Sequence, residues 1–120
     1  MAVILFVDDD MATLELMGRA AEMLGHRSLL CSLSQHALAI AISQRPDLIL
    51  VDHLLQDGQG CQLIETLRQQ AGLRATPIYL VSAFASEKEK ETARQAGADG
   101  CIEKPVSLQN LAQMLSGKGG

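Results

Sequence analysis

The chain has 120 residues, about the length of one domain, and 48% of them are apolar and 20% charged, which is typical of globular proteins. Its net charge of −4 and its lack of a basic run disfavour nucleic acid as a direct partner, because phosphate-backbone binding needs clustered Lys and Arg. No apolar run approaches the roughly 20 residues of a membrane span, and the apolar N-terminal run lacks the flanks of a secretion signal. We therefore expect a cytoplasmic protein without membrane contact.

The first predicted unit is a strand followed by a helix. Residues 3–7 form an apolar run, and residues 11–24 place apolar side chains at helical spacing. Gly25 follows as a typical C-terminal stop.

The second unit repeats this pattern, with a strand at residues 27–31 and a helix at about residues 33–43. Ser32, with Gln35 three places on, predicts the helix start, and Pro46 requires the helix to end before it. The spacing predicts that three residues of this helix face the sheet: Leu38, Ala41 and Ile42.

The third strand, residues 48–51, is continuously apolar, as expected for a strand covered on both faces, and runs directly into Asp52. A glycine-rich turn follows it. After the turn, Leu63, Ile64 and Leu67 give the third helix an apolar stripe.

Two shorter units complete the pattern. A fourth strand at residues 78–81 precedes a helix that begins with Ser86 and Glu89 in capping-box spacing. Its apolar face is thin: Ala85, Ala93 and Ala96. A fifth strand at residues 101–103 precedes a helix capped by Ser107, whose apolar face is predicted to contain Leu108, Leu111 and Leu115.

Five strand–helix units in succession predict an α/β domain over residues 1–116, with one parallel sheet, right-handed crossovers and helices on both faces. We expect residues 117–120 to be a flexible tail. In such sheets the carboxyl ends of the strands share the edge that holds ligands. The residues at these ends suit phosphate and metal chemistry: Asp8, Asp9, Asp52, Ser82 and Lys104.

Three carboxylates at one edge require a counter-charge, since two ionised groups about 4 Å apart repel by roughly 4 kcal/mol at an effective dielectric near 20. Magnesium, which prefers oxygen ligands, meets this need, and Lys104 adds a second positive charge. Asp10, in contrast, is interpreted as a helix cap. The Lys104–Pro105 bond can be cis or trans.

Several blocks together resemble the receiver domain of two-component response regulators, in order and in spacing over residues 2 to about 116. They are Val7-Asp8-Asp9-Asp10, Pro46-Asp47-Leu48-Ile49-Leu50-Val51-Asp52, Asp57-Gly58-x-Gly60, Val81-Ser82-Ala83, Gly97-Ala98-Asp99-Gly100 and Lys104-Pro105.

The resemblance implies a doubly wound (βα)5 fold of flavodoxin-like order 2-1-3-4-5, and a phosphoryl switch rather than an enzyme. Asp52 matches the phosphate-accepting aspartate, Ser82 the hydroxyl that turns toward the phosphoryl group, and Lys104 the lysine that pairs with it. Mg²⁺ would be held by Asp8, Asp9, Asp52 and the main-chain oxygen of Leu54. The implied partners are a histidine kinase or histidine phosphotransfer protein and a downstream protein, with the chain itself a monomer or weak dimer.

The sequence departs from the family at two places. Cys101 stands where receivers commonly have an aromatic residue that swings inward, and Gln56 where they often have proline. Cys101 is interpreted as a small hydrophobe rather than a redox sensor. The cysteines, Cys31, Cys61 and Cys101, are odd in number and widely spaced, which predicts buried reduced thiols. His53 is interpreted as packing or surface, because strand alternation directs it away from Asp52.

Two alternatives remain open. A receiver that only binds a partner, without phosphorylation, would also fit the missing aromatic residue. A haloacid-dehalogenase-like phosphatase also uses aspartate, magnesium, a hydroxyl and a lysine, but the Gly-Thr that follows its Asp-x-Asp motif is absent after Asp10.

Overall fold

The computed structural model describes residues 1–116. The strands within them are β1 Val3–Val7, β2 Arg27–Cys31, β3 Leu48–Asp52, β4 Leu54–Leu55, β5 Gly58–Gln59, β6 Ile78–Ser82 and β7 Gly100–Glu103. Five of these strands form one parallel sheet in the order β2-β1-β3-β6-β7. A two-stranded antiparallel ribbon, β4–β5, lies in the loop after β3. Counting the five sheet strands alone, the order is the predicted 2-1-3-4-5.

The helices lie close to their predicted positions and alternate with the sheet strands. They are α1 Met11–Met23, α2 Ser34–Gln44, α3 Gly60–Arg68, α4 Glu87–Ala96 and α5 Leu108–Leu115, with a short 3-10 turn at Ala71–Leu73. Gly25 has a φ of +84° just past α1, the left-handed conformation that favours glycine after a helix.

Two apolar cores lie on opposite faces of the sheet. One packs α1 and α5 against the sheet through Leu14, Met17 and Leu111. The other packs α2, α3 and α4 and includes Ile64 and Ala93. The doubly wound arrangement is therefore confirmed, because each face of the sheet is buried by its own helices.

The predicted cap of α2, Ser32, is wrong. Its N-cap is Leu33, whose side chain makes no capping hydrogen bond. The Asp57 carboxylate, from the turn between β4 and β5, instead accepts from the backbone N–H groups of Ser34 at 3.0 Å and Gln35 at 3.1 Å. Asp57, more than twenty positions along the chain, therefore caps this helix in place of Ser32.

Two predictions about buried faces are also wrong. Ile42 is 47% exposed, and Ala37 and Ile40 pack on the core beside Ala41 and Leu38 instead. In α5, Leu108 is 41% exposed whereas Met114 is buried. Short helices leave the register of their apolar face to the neighbouring elements, which the sequence pattern does not identify.

No helix within residues 1–116 combines the length and apolarity needed to cross a bilayer. The tail that the sequence predicts at positions 117–120 lies outside the described residues.

Candidate functional site

Three carboxylates meet at the carboxyl edge of the sheet. Asp52 ends β3 and Asp8 follows β1, and these two strands are paired neighbours. One oxygen from each of Asp8, Asp9 and Asp52 lies within 4.8 Å of the others. Asp8 and Asp52 are buried and Asp9 is exposed, so the cluster has one open side.

Lys104 provides the positive charge of the site. Its Nζ is 3.0 Å from Asp52 Oδ1 and 3.3 Å from Asp8 Oδ2. Its backbone N–H donates to the carbonyl of Ser82 at 2.7 Å, which fixes the start of the loop after β7. The Lys104–Pro105 peptide bond is cis, which decides the choice that the sequence left open.

The charges of the site are unbalanced. Burial raises the pKa of Asp52, the hydrogen bond from Lys104 opposes this, and the charge of Asp8 raises it further. For Lys104, burial alone would lower the pKa, but its hydrogen bond to Asp52 and the charges of Asp52 and Asp8 outweigh burial and raise it. The two shifts therefore have different main causes: burial for Asp52, and pairing with Asp52 and Asp8 for Lys104.

The site fits a hard divalent cation. Asp8 Oδ2 is buried and accepts no hydrogen bond within the described chain, although the Lys104 ammonium lies 3.3 Å away. Asp8 Oδ1 accepts from the backbone N–H of Asp10 at 2.9 Å. A buried carboxylate oxygen without a hydrogen bond, next to two further carboxylates, is a donor set that suits Mg²⁺.

Asp10 occupies the N-cap position of α1, as predicted, but its side chain makes no capping bond to the helix backbone. It accepts from the Thr13 hydroxyl instead. Asp10 therefore differs from Asp8 and Asp9, the two residues before it, which lie in the acidic cluster.

Ser82 lines the same cleft but bonds elsewhere. It ends β6 and is buried. Its hydroxyl donates to the Glu89 carboxylate of α4 and lies 3.3 Å from both the backbone nitrogen and the carbonyl oxygen of Phe84. The hydroxyl is thus near the acidic cluster yet bonded to the helix beside it.

His53 and Glu89 are the site residues that sequence reasoning missed. His53 Nε2 lies 3.6 Å from Glu89 Oε2, so the histidine interpreted as packing or surface has an acidic partner. Both residues line a cleft of about 520 Å³ with Asp9, Asp52, Leu54, Ser82 and Lys104. The capping-box spacing of Glu89 predicted a local partner and thus concealed this role.

Gly60, from the Asp57-Gly58-x-Gly60 block, allows α3 to approach β3. A Cβ atom at this position would lie 2.1 Å from the carbonyl oxygen of Asp52. The Gly60 N–H donates to the carbonyl of His53 at 2.9 Å. Only glycine permits so close a contact between the two backbones.

The cysteines are free. Cys31 is buried, whereas Cys61 and Cys101 are half-buried, so the prediction of burial is correct in full only for Cys31. Burial raises the pKa of Cys101 and of Cys61. This disfavours the reactive thiolate and supports the interpretation of Cys101 as a small hydrophobe.

Residues 4–116 match the response regulator receiver domain, and the chain belongs to this family. Receiver domains are signalling domains of two-component systems.

Three comparisons illustrate the relationship. The chain is 34% identical to the phosphate regulon transcriptional regulatory protein PhoB of Pseudomonas aeruginosa over 93% of its own length and 49% of that protein. It spans about half the length of the first curated relatives that it matches. The chemotaxis protein CheY4 of Vibrio cholerae superposes with a TM-score of 0.90 at 26% identity, covering 97% of each chain.

The third comparison concerns the metal. The receiver domain of the sensor histidine kinase PA1611 from Pseudomonas aeruginosa superposes with a TM-score of 0.86 at 29% identity, over 96% of this chain and 94% of that one. That structure contains a magnesium ion coordinated in the active-site cleft.

Proposed function

We propose that this receiver domain is a phosphoryl-accepting switch in which Asp52 takes phosphate from a phosphohistidine of a partner protein. The observation that carries the proposal is the convergence at Asp52 of two further aspartates and a lysine amine 3.0 Å away. These groups come from separate parts of the chain. Their convergence is the electrostatic arrangement that phosphoryl transfer requires.

The proposed transfer forms one bond and breaks another. An ionised Asp52 oxygen attacks the phosphorus, and the P–N bond to the donor histidine breaks. The imidazole nitrogen keeps the electron pair of that bond. Lys104, already paired with Asp52 and Asp8, remains close enough to pair with an oxygen of the incoming phosphoryl group.

The proposed metal ligands are Asp8, Asp9, Asp52 and the main-chain oxygen of Leu54. The buried Asp8 oxygen without a hydrogen bond and the magnesium-containing relative support this assignment. When bound, Mg²⁺ supplies positive charge that offsets the carboxylates and the phosphoryl oxygens. Leu54 lines the cleft, and a main-chain ligand does not depend on its apolar side chain.

Ser82 is proposed to donate its hydroxyl to the phosphoryl group in the phosphorylated state. This requires the hydroxyl to leave Glu89, its present partner. This rearrangement alters the surface of the domain, and the altered surface changes contacts with a downstream protein partner. We propose that the chain acts in this way as a monomer or weak dimer.

Incubation with acetyl phosphate and Mg²⁺, followed by intact mass measurement, tests the proposal. We expect one added phosphoryl group that is labile in base, because an acyl phosphate hydrolyses readily. It should be absent without metal and absent in Asp52→Asn. Asp47→Asn is the matched control, since Asp47 is exposed at the opposite end of β3 and accepts from the backbone of Val3.

Failure of the wild-type protein to gain mass, with metal present, would contradict the proposal. The interaction-only alternative, which Cys101 at the usual aromatic position favours, would then be preferred. Partner binding unchanged by Asp52→Asn would be its signature. Steady turnover of a small phosphate ester would instead favour the phosphatase alternative.

A further inference from the structure

The Glu89 carboxylate does not cap its own helix but bonds to a residue outside it. It is the third residue after Ser86, the N-cap of α4, and in a capping box its carboxylate would accept from the Ser86 N–H. Only half of the box forms, since the Ser86 hydroxyl accepts from the Glu89 N–H at 3.1 Å. The Ser86 N–H donates to the carbonyl of Phe84 at 3.0 Å instead. The Glu89 carboxylate accepts from the Ser82 hydroxyl.

The second oxygen of Glu89 faces another strand of the site. It lies 3.6 Å from Nε2 of His53, the residue directly after Asp52. The side chains of His53 and Glu89 are 30% and 27% exposed, so solvent screens this pair only in part. One carboxylate thus connects α4 to the ends of both β3 and β6.

Only small side chains of α4 are buried against its neighbours. Its buried residues are Ala93 and Ala96, which carry the smallest apolar side chains and contribute little by burial. Most of the remaining helix is charged and exposed. The bonds of Glu89 therefore carry a large share of the attachment of the first turns of the helix.

We propose that Glu89 is a latch that holds α4 in the unphosphorylated state and that phosphorylation of Asp52 releases it. This inference rests on the proposed function. The Ser82 hydroxyl has one proton to donate, so it bonds either to Glu89 or to a phosphoryl oxygen, but not to both. The phosphoryl group also brings close to two negative charges into the cleft that Glu89 lines, and like-charge repulsion drives the same change.

The latch gives this chain a connection from the site to its surface that needs no aromatic side chain. Cys101 stands at the position of the usual aromatic residue and cannot supply that connection. Glu89 and His53 instead connect the acceptor strand to α4 directly. The switch is therefore expected at α4, the helix with the thinnest apolar face.

Amide hydrogen exchange of residues 87–96 in the full, unphosphorylated chain tests the latch. We expect Glu89→Ala to speed exchange about tenfold, the size expected for losing a hydrogen bond to a charged group. Ser82→Ala should also speed exchange, but by less, because the pair of Glu89 with His53 remains. The double variant should exchange no faster than Glu89→Ala alone, since that change already breaks the bond to Ser82. Additive effects in the double variant would overturn the inference.

Two further variants separate the latch from a general weakening of the helix. Glu89→Gln should have an effect smaller than that of Glu89→Ala, because the amide oxygen still accepts from Ser82 although the charge is lost. Glu91→Ala is the matched control, since Glu91 lies on the same helix and pairs with Arg94 rather than with the site. It should change exchange by less than about twofold. An equal effect of Glu91→Ala and Glu89→Ala would contradict the latch.

Phosphorylation with acetyl phosphate and Mg²⁺ tests the release, with intact mass reporting the phosphorylated fraction. The phosphorylated wild type should then exchange at α4 about as fast as unphosphorylated Glu89→Ala. Phosphorylation of Glu89→Ala should not speed exchange at α4 any further. Phosphate uptake with unchanged exchange at α4 would overturn the latch and leave the phosphoacceptor function intact. No uptake would overturn the proposed function and the release step, whereas the unphosphorylated comparison would still decide whether Ser82 and Glu89 act together.

Discussion

Folding favours the neutral form of the Asp52 carboxyl group, whereas the proposed phosphoryl transfer needs its ionised form. Its side chain is buried beside Asp8 and Asp9, and burial followed by like charge raises its pKa despite the bond from Lys104. The ionised form that phosphoryl transfer needs is therefore the form that the folded protein disfavours. Lys104 offsets this conflict only in part, because it is one cation among three acids.

We expect Asp52→Asn to increase the free energy of unfolding at neutral pH without metal, by on the order of 1 kcal/mol. Because the folded-state pKa of Asp52 is raised, its ionisation opposes folding at pH values above that pKa. As the pH falls below the ordinary value of 3.8, Asp52 becomes neutral in both the folded and the unfolded state, and the two proteins should converge. Urea unfolding in EDTA across this range measures the difference, with Asp47→Asn as the control. A difference that grows on acidification would contradict the prediction.

At the scale of elements, α2 shows that a helix end can depend on a remote loop. The Asp57 carboxylate accepts from the first two backbone N–H groups of α2, which have no partner within the helix. These bonds, the Ser34 N–H first, lower the pKa of Asp57 despite slight desolvation. The loop after β3 is thereby held to α2.

Asp57→Ala should lower the thermal unfolding midpoint by about 4 °C, as loss of a helix cap does in a small domain. The effect should be present at neutral pH and disappear in acid, because a carboxylate with a lowered pKa stabilises only above its folded-state pKa. Thermal unfolding followed by circular dichroism measures it. Ser32→Ala is the matched control, since Ser32 is the cap that the sequence predicts and the structure does not use. A larger decrease of the unfolding midpoint in Ser32→Ala than in Asp57→Ala would contradict the assignment of Asp57 as the cap.

At the scale of the whole molecule, the order of the strands creates the site. Asp8, Asp52, Ser82 and Lys104 lie at or just after the ends of β1, β3, β6 and β7, which are neighbours in the sheet. All four strands are parallel, so their carboxyl ends share one edge. A cation bound there stabilises the folded chain as a unit, since the ligands are gathered only after the sheet has formed.

We expect Mg²⁺ at about a hundred times its dissociation constant to stabilise the protein by about 2.7 kcal/mol, the value for a ligand that binds only the folded state. Asp9→Asn should abolish most of this gain by removing one ligand. Asp10→Asn is the control, because Asp10 carries the same charge one position further on and bonds to Thr13. Thermal unfolding at increasing Mg²⁺ concentration provides the measurement, and an equal loss of the gain in both variants would argue against the assigned ligands.

Most of the fold was predictable because its signals are local. The continuously apolar run of residues 48–51 and the stripe of Leu63, Ile64 and Leu67 lie as expected and are buried. The wrong assignments of buried faces, at Ile42 and Leu108, fall on helices only a few turns long, where periodicity alone leaves the buried face ambiguous. The ribbon β4–β5 was missed because two-residue strands have no detectable alternation.

The sequence by itself determined which groups stand at the ends of the strands, since apolar runs and the polar residues that follow them are properties of neighbouring positions. Only the tertiary structure decided which partners the polar side chains take. Asp57 reaches α2, and Glu89 reaches Ser82 and His53 rather than its own cap. A carboxylate bonds to whichever donor is nearest in space, and the packing of α2 and α4 on the sheet sets that distance.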